Sequence, residues 1–208
     1  MTGLLQQIVA TSYWEWCAVL FALAYLILAI RESIWCWPAA FFSTSIYAWL
    51  FFDVNLFMES LLNAYYLLMA IYGWNQWSSN DGYDQDKRLN ITTWTLKSHV
   101  IIIISLSFSV LVIGQLLMAF TSQDFAYLDS FTTLFALVAT FMVTKKVLEN
   151  WLYWIVINIV SIYLFASKGL VLTALLFVIY VILAILGWIK WSQQYKNIKQ
   201  EAHQNYAT

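Results

Sequence analysis

The sequence predicts an all-α integral membrane protein with seven transmembrane helices, in which two parallel three-helix repeats flank one additional helix. Three observations lead to this fold class. Apolar residues make up 62% and charged residues 10% of the 208 residues, whereas charged residues form about a quarter of a soluble domain. Most of the charges fall between apolar blocks that are each long enough to cross the bilayer as a helix. Two segments of the chain also match each other without a gap.

The apolar blocks predict the seven helices directly, because about 20 apolar residues span the hydrocarbon core. Short polar breaks such as Asp53-Val54-Asn55 separate most of them. The one long connection, 78–97, holds Asn80-Asp81-Gly82 turn chemistry and six of the 21 charged residues, so we expect an exposed loop there. In chain order the blocks are 14–30, 34–52, 56–77, 98–120, 127–144, 150–166 and 169–190.

Basic residues predict the orientation, because lysine and arginine bias short loops toward the cytoplasm. Nine of the ten fall on the side that carries the C-terminus, and only Lys168 falls on the other. An odd number of spans puts the two termini on opposite sides. We therefore expect the N-terminus outside and the C-terminus in the cytoplasm.

An internal repeat relates the two halves of the chain. Residues 31–77 align with 145–191 at a constant offset of 114, with twelve identities in 47 positions, among them Trp37 with Trp151 and Gly73-Trp74 with Gly187-Trp188. The same offset carries helix 1 onto helix 5. The helix between the repeats lets both insert in the same orientation, and transporters built this way bind substrate near the midplane between the repeats. The predicted single transmembrane domain, 1–208, comprises repeat one 14–77, the loop and helix 4 78–120, repeat two 127–191 and a cytoplasmic tail 192–208.

Polar residues inside the spans mark a candidate binding site, because burying them in hydrocarbon is costly unless they face a partner or a water-filled path. In helix 3, Glu59, Asn63 and Tyr66 share one face, and in helix 6 Trp151, Trp154 and Asn158 share another. Amides, hydroxyls and a carboxylate among aromatic rings suit a flat, polar, cationic ring. The candidate substrate-binding residues are Trp37, Thr44, Glu59, Asn63, Tyr66, Trp151, Trp154, Asn158, Tyr180 and Trp188.

A structural interpretation of the same residues stays open. Tryptophans near helix ends are typical of the membrane interface, so Trp74, Trp77, Trp188 and Trp191 can serve as anchors in the headgroup region. Asn63 and Asn158 can hydrogen-bond between helices. Glu59 can reach water from its helix end. The same pattern would then belong to a structural or receptor-like bundle without a pathway.

Other functional classes find little support. A net charge of −1 gives no general attraction to nucleic acid. No nucleophile with a neighbouring base can be assembled, so we predict no enzyme and no cofactor. Cys17 and Cys36 lack the spacing of a disulfide framework or a metal site, and we expect both to be packing residues. Ion-coupled carriers usually place acidic residues deep in the bundle, so we expect uncoupled transport.

Three stretches resemble the Pnu family of bacterial vitamin transporters. They are Ile34-Trp35-Cys36-Trp37-Pro38, the segment Ala70-Ile71-Tyr72-Gly73-Trp74-Asn75-Gln76-Trp77, and above all Glu149-Asn150-Trp151-Leu152-Tyr153-Trp154-Ile155-Val156-Ile157-Asn158. The resemblance covers nearly all of both aligned segments. It matches Trp154 and Asn158 to the binding helix of that family.

The resemblance implies a function and an assembly. Members take up nicotinamide riboside, thiamine or riboflavin across the bacterial inner membrane by facilitated diffusion, and an intracellular kinase traps the product. They share a three plus one plus three plan with the SWEET proteins and associate as homotrimers. Asn63 stands where the riboside branch usually has glutamine, and Ala70 where an asparagine can occur. We therefore expect nicotinamide riboside as substrate, with thiamine as the alternative.

Overall fold

Seven helices make up nearly all of the computed structural model, which describes residues 12–53, 57–78, 89–120 and 125–205. Among the described residues no strand forms, and Thr92 and Val147 make an isolated bridge. The predicted all-α membrane fold is confirmed. The helices are α1 Tyr13–Ile30, α2 Cys36–Asp53, α3 Phe57–Ser78, α4 Leu96–Phe120, α5 Ala126–Thr144, α6 Asn150–Ser167 and α7 Val171–Asn205.

Local chemistry sets several helix ends. The Ser12 side chain accepts a hydrogen bond from the Glu15 backbone N–H at 3.2 Å and so caps α1. Pro38 lies in the first turn of α2, where its missing N–H costs nothing. Gly169, at a φ of +76°, forms the turn between α6 and α7. Six of the seven helices have bounds that differ from the predicted blocks by two residues or fewer at either end.

The seventh helix is longer than the apolar block that predicted it. We expected the span to end at 190 and a tail to follow from 192, but α7 continues without a break to Asn205. Residues 192–205 contain no glycine or proline and include four glutamines, two lysines and a glutamate, which favour a helix. Loss of hydrophobicity therefore ends the apolar segment without ending the helix.

The connection between α3 and α4 is only partly the exposed loop that we predicted. Residues 79–88 lie outside the described residues, but 89–95 pack onto the bundle. The Thr92 N–H donates to the Lys146 carbonyl at 3.0 Å, and the Leu148 N–H donates to the Thr92 carbonyl at 2.8 Å. Ile91 is buried beside them in the core. Backbone pairing with the α5–α6 turn thus fixes a segment that the sequence marks as a loop.

Five helices, α1, α4, α5, α6 and α7, are long and apolar enough to cross a membrane by themselves. The helices α2 and α3 have 18 and 22 residues but a more polar composition. They bring hydroxyl, amide and aromatic side chains to the centre of the bundle. These polar side chains account for the lower hydropathy of the two helices.

Helix contacts form a closed ring around that centre. The helix α2 packs against α1 and α3, and α6 packs against α5 and α7. The ring closes through α3 with α5 and through α1 with α7, while α4 packs on α5 outside the ring. Exchanging the repeats converts the α3–α5 contact into the α7–α1 contact. The arrangement therefore has the twofold character that two parallel repeats require.

Close packing repeats as well. A Cβ added at Gly73 would lie 2.4 Å from the Trp37 ring, and one added at Gly187 would lie 2.6 Å from the Trp151 ring. Only glycine permits these approaches, since real Cβ contacts are not shorter than about 3 Å. The contact of Gly73 with Trp37 in one repeat therefore occurs again as the contact of Gly187 with Trp151 in the other.

Two further tryptophans lie where the repeats meet. Trp77 donates from Nε1 to the Thr144 carbonyl at 3.2 Å, and Trp191 donates to the Ala29 carbonyl at 3.2 Å. Both are buried in the core, with their ring centroids 6.5 Å apart. The interface-anchor interpretation is therefore wrong for this pair, because a headgroup anchor must face the lipid.

A salt bridge joins the repeats at the same end. Lys146 Nζ lies 3.0 Å from Glu32 Oε2, and the two residues are 114 positions apart, so they are repeat equivalents. Both have left-handed backbone conformations, with φ of 54° and 51°. We call this end, where α1, α3 and α5 finish, the Lys146 end, and the opposite end the Lys168 end.

Of the two cysteines, Cys36 is buried in the core as expected, but Cys17 is exposed on α1. The packing role predicted for Cys17 is therefore wrong. Neither is in a disulfide. Among the described residues no cluster of histidine, cysteine and carboxylate side chains could hold a metal ion.

Candidate functional site

A cavity of about 410 Å³ occupies the centre of the helix ring. All six helices of the ring contribute to its wall, and α4 does not. Its volume falls in the range of roughly 300 to 1,000 Å³ that is common for small-molecule sites. The cavity therefore lies where the repeat predicted a pathway.

Nine of the ten predicted site residues line this cavity. Trp188 is the exception, because it packs half-buried against the core at the Lys146 end. Its repeat equivalent, Trp74, packs against the same core. The lining residues among those predicted are Trp37, Thr44, Glu59, Asn63, Tyr66, Trp151, Trp154, Asn158 and Tyr180.

Asn158 has the most informative environment. Its side chain is only 4% exposed, and it makes no hydrogen bond with any described residue. Its amide atoms open into the cavity and are not sealed inside the protein, so they are available to bond a ligand there. The interhelical role that the sequence left open has no support, because no described side chain or carbonyl pairs with this amide.

The repeat equivalent of Asn158 behaves differently. The Thr44 hydroxyl donates to the Ala40 carbonyl at 2.9 Å, within its own helix. Asn63 is intermediate, since its Nδ2 donates to the Glu59 carbonyl at 2.8 Å while its Oδ1 has no partner among the described residues. The two amides thus offer hydrogen-bonding capacity to the cavity that Thr44 does not.

Trp37 and Trp151 close the cavity toward the Lys146 end. Both indoles are buried, Trp37 against Gly73 and Trp151 against Gly187, and their Nε1–H groups have no hydrogen-bond partner among the described residues. Each ring meets a second indole edge-on, Trp77 at 5.3 Å and Trp191 at 5.4 Å between centroids. These four tryptophans therefore form a continuous layer across the bundle at the Lys146 end of the cavity.

Stacked aromatic rings from α2, α6 and α7 line the cavity. Tyr47 stacks on Phe51 at 5.6 Å, and Phe165 stacks on Phe177 at 5.1 Å. Of the aromatic residues in this group, sequence reasoning had selected Tyr180, which meets Phe177 edge-on at 5.6 Å. The others escaped notice because phenylalanine is common in lipid-facing positions, and composition does not distinguish the two surfaces.

Asp129 is the most important residue that sequence reasoning missed. It lines the cavity from the first turn of α5 and pairs with Lys168 Nζ at 3.1 and 3.2 Å. A signal was present, because Asp129, Thr132, Ala136 and Thr140 recur at helical spacing and all line the cavity. Asp129 was missed because it lies near the start of the predicted helix 5, where the sequence suggests a residue that faces solvent.

Residues 12–193 match the family described as "Nicotinamide mononucleotide transporter". The chain belongs to this family. The match covers all seven helices up to the polar extension of α7. The prediction of a membrane transporter rather than an enzyme is thereby confirmed, and the structural or receptor-like interpretation of the bundle is excluded.

Individual relatives of this transporter are distant. The nicotinamide riboside transporter PnuC of Escherichia coli (strain K12) is 24% identical over 173 residues, 72% of each chain. The riboflavin/roseoflavin transporter RibM of Streptomyces davaonensis is 23% identical over 167 residues, 80% of this chain and 78% of that protein. These matches confirm the predicted resemblance to the Pnu family.

A solved structure, "Crystal structure of the Vitamin B3 transporter PnuC", resembles the fold. The TM-score is 0.70 at 20% sequence identity, and the alignment covers 87% of this chain and 81% of that one. At this identity the similarity concerns the fold alone. It supports the helix arrangement described above.

Proposed function

We propose that this protein carries a ring-containing B vitamin into the bacterial cell by facilitated diffusion, with nicotinamide riboside as substrate. The observation that carries the proposal is the buried, unpartnered amide of Asn158 in a central cavity. A carboxamide or a hydroxyl of the substrate would supply the missing hydrogen bonds. Aromatic side chains of Trp154 and Tyr66, which line the same cavity, would stack on the ring.

The choice of nicotinamide riboside rests on the relatives. PnuC of Escherichia coli and PnuC of Haemophilus influenzae, which is 26% identical over 132 residues, are both nicotinamide riboside transporters by name. RibM, a riboflavin/roseoflavin transporter, matches over a larger share of both chains, which makes riboflavin a second candidate. Thiamine stays the alternative that the family resemblance implies.

The uncoupled mechanism follows from where the charges lie. Among the described cavity-lining residues, the charged ones are Glu59 and Asp129, and each lies in the first turn of its helix. The deeper polar groups, such as Asn63, Asn158 and Thr140, carry no charge at any physiological pH. A pump would need a titratable or cation-binding group in that deeper region.

Orientation and assembly belong to the same proposal. The nine to one distribution of basic residues supports an inner-membrane protein with its C-terminus and the Lys146 end in the cytoplasm. The homotrimer and the trapping kinase rest on the family resemblance. The exposed apolar side of α4, which packs on α5 alone among the described helices, is available for a neighbouring copy or for lipid.

Binding measurements on Asn158→Leu test the proposal. Leucine removes the polar contact but is favourable in a membrane interior, so the variant should fold and bind nicotinamide riboside more weakly. Loss of one hydrogen bond of about 1–3 kcal/mol corresponds to roughly fivefold to a hundredfold in affinity. Calorimetry with nicotinamide riboside, thiamine and riboflavin would identify the vitamin in the same experiment.

Thr44→Val is the matched control. It alters the repeat-equivalent position, where the hydroxyl is already satisfied by the Ala40 carbonyl, so affinity should change less than about twofold. Equal effects of the two substitutions, or unchanged affinity in Asn158→Leu, would remove Asn158 from the site. Liposomes containing the protein should equilibrate labelled vitamin without an ion gradient, and an absolute requirement for sodium or protons would refute facilitated diffusion.

A further inference from the structure

The charge of the cavity lining has one sign. Among the described residues that line it, Glu59 and Asp129 carry charge, and none is lysine, arginine or histidine. Carboxylates in a cleft with low-dielectric walls attract cations more strongly than they do in bulk water. The cavity is therefore suited to a positively charged ligand, although its hydrogen-bonding amides and hydroxyls have no such preference.

The two carboxylates have different surroundings. Glu59 is exposed, and no described residue forms an ion pair with it. Asp129 is part-buried, with 30% of its side chain exposed, and both of its oxygens accept from Lys168 Nζ. Asp129 therefore faces the cavity on one side and a single lysine on the other.

Lys168 is a partner that Asp129 can exchange at low cost. It lies in the turn after α6, does not line the cavity, and keeps 34% of its side chain exposed. Ion pairs with this degree of exposure contribute about 0–1 kcal/mol, because solvent screens the attraction and ordering the long side chain costs entropy. A cation that enters the cavity can take over part of the interaction with Asp129 while Lys168 turns to water.

A ligand in the same cavity is supported independently by Ser161. This residue lines the cavity from α6, the helix that packs on α5, and is 3% exposed. Its hydroxyl makes no hydrogen bond with any described residue. Together with Asn158 one turn away, it provides a second unpartnered polar group within the same wall.

The repeat shows that the carboxylate is a specific feature of this wall. The residue equivalent to Asp129 is Glu15, which is exposed on α1 and does not line the cavity. Its backbone N–H is bonded to the Ser12 cap. An acidic residue in the first turn stabilises either helix through the helix dipole, but only Asp129 also faces the cavity.

We infer that Asp129 is a charge-selectivity residue, whose carboxylate exchanges Lys168 for the cationic ring of the substrate at the mouth of the cavity. The inference rests on the proposed function, since it requires a cationic vitamin. It assigns to Asp129 the preference for a charged ring, and to Asn158 the recognition of polar groups. Lys168 acts as a competitor that lowers the affinity for cations.

A pair of probes that differ in charge tests this assignment. Nicotinamide riboside has a pyridinium ring with one positive charge, and its 1,4-dihydro form is neutral and of nearly the same shape. Asp129→Asn should lower the affinity for the cationic form about threefold to tenfold and change that for the neutral form less than twofold. Lys168→Gln should raise the affinity for the cationic form, and the change should shrink at high salt.

Glu15→Gln is the control, because it neutralises the equivalent carboxylate outside the cavity, and it should leave both affinities unchanged. If Asp129 only holds α5 to the α6–α7 turn, both variants of the ion pair will lower the melting temperature and leave the ratio of the two affinities as in the wild type. That result overturns the inference and leaves the proposed function intact. Wild-type protein that binds neither probe would overturn both.

Discussion

The two ends of the molecule are built differently. At the Lys146 end the main contacts between the repeats occur twice or join two equivalent residues: Trp37 packs on Gly73 and Trp151 on Gly187, and Glu32 pairs with its own equivalent, Lys146. At the Lys168 end, the ion pair between Asp129 and Lys168 has no counterpart in the other repeat. Its equivalents in sequence are Glu15 and Val54, which cannot form a salt bridge.

This difference distinguishes the residues that pack the helices together from the residues that would bind the substrate. Helix packing has the same geometric requirement in both repeats, so the same small and large residues meet it twice. A vitamin has no twofold symmetry, and a site that binds it in one orientation must differ between the repeats. Asn158 opposite Thr44, and Asp129 opposite Glu15, are differences of this kind.

The largest effect should come from filling the glycine contacts. An alanine Cβ at Gly73 would lie 2.4 Å from the Trp37 ring, and one at Gly187 would lie 2.6 Å from the Trp151 ring. We expect Gly73→Ala and Gly187→Ala to lower the free energy of unfolding by about 2–3 kcal/mol each, despite the better helix propensity of alanine. Thermal unfolding in detergent would measure both.

A Trp37→Leu background supplies the control for this prediction, because the smaller side chain leaves room for the new methyl group and should abolish the cost of Gly73→Ala. Clearly unequal costs at Gly73 and Gly187 would show that the Lys146 end is not equivalent in the two repeats.

A smaller effect should distinguish the two ion pairs. The side chains of Lys146 and Glu32 are 12% and 15% exposed, against 34% and 30% for Lys168 and Asp129. Glu32→Gln should therefore cost about 1–2 kcal/mol, because it leaves a part-buried lysine charge, whereas Asp129→Asn should cost less than about 1 kcal/mol. Chemical denaturation of both variants at low and high salt would compare them, and a more costly Asp129→Asn would reverse the order of the two ends.

The smallest effect concerns two buried serines of the cavity wall. Ser43 donates to the Ala18 carbonyl at 2.9 Å, so Ser43→Ala should cost about 0.5–1 kcal/mol. Ser161 has no partner among the described residues, so Ser161→Ala should leave the empty protein as stable as the wild type or slightly more stable. Melting temperatures with and without nicotinamide riboside would show whether Ser161→Ala instead reduces the stabilisation by ligand. A loss of stability in the empty Ser161→Ala protein would indicate a structural role.

Sequence reasoning recovered most of the fold because membrane insertion simplifies the problem. In hydrocarbon the backbone must satisfy its hydrogen bonds within the segment, so an apolar block of sufficient length becomes a helix. Sequence reasoning was wrong for segments outside the hydrocarbon, where the backbone is free to hydrogen-bond with water. The polar extension of α7 to Asn205 and the packing of residues 89–95 against the α5–α6 turn depend on helix propensity and on tertiary contacts.

Within the candidate site, the residues predicted best were polar groups deep in a span. Asn158 and Asn63 stand out in hydrocarbon, and both line the cavity. Trp188 was selected as the repeat equivalent of Trp74, but it packs against the core. A tryptophan is equally compatible with core, interface and ligand site, so its residue type alone does not decide among them.

The sequence by itself determined the membrane class, the number of helices and the offset of 114 that relates the repeats, because hydrophobic block length and residue identity are local properties of the chain. Which polar residues already have hydrogen-bond partners within the protein is visible only in the tertiary structure. Thr44 bonds its own helix while Asn158 has no described partner, and Asp129 faces the cavity while Glu15 does not. Hydrogen bonding and exposure depend on what the other helices bring within about 3 Å of a side chain, and that distance is set by the packing of the whole ring.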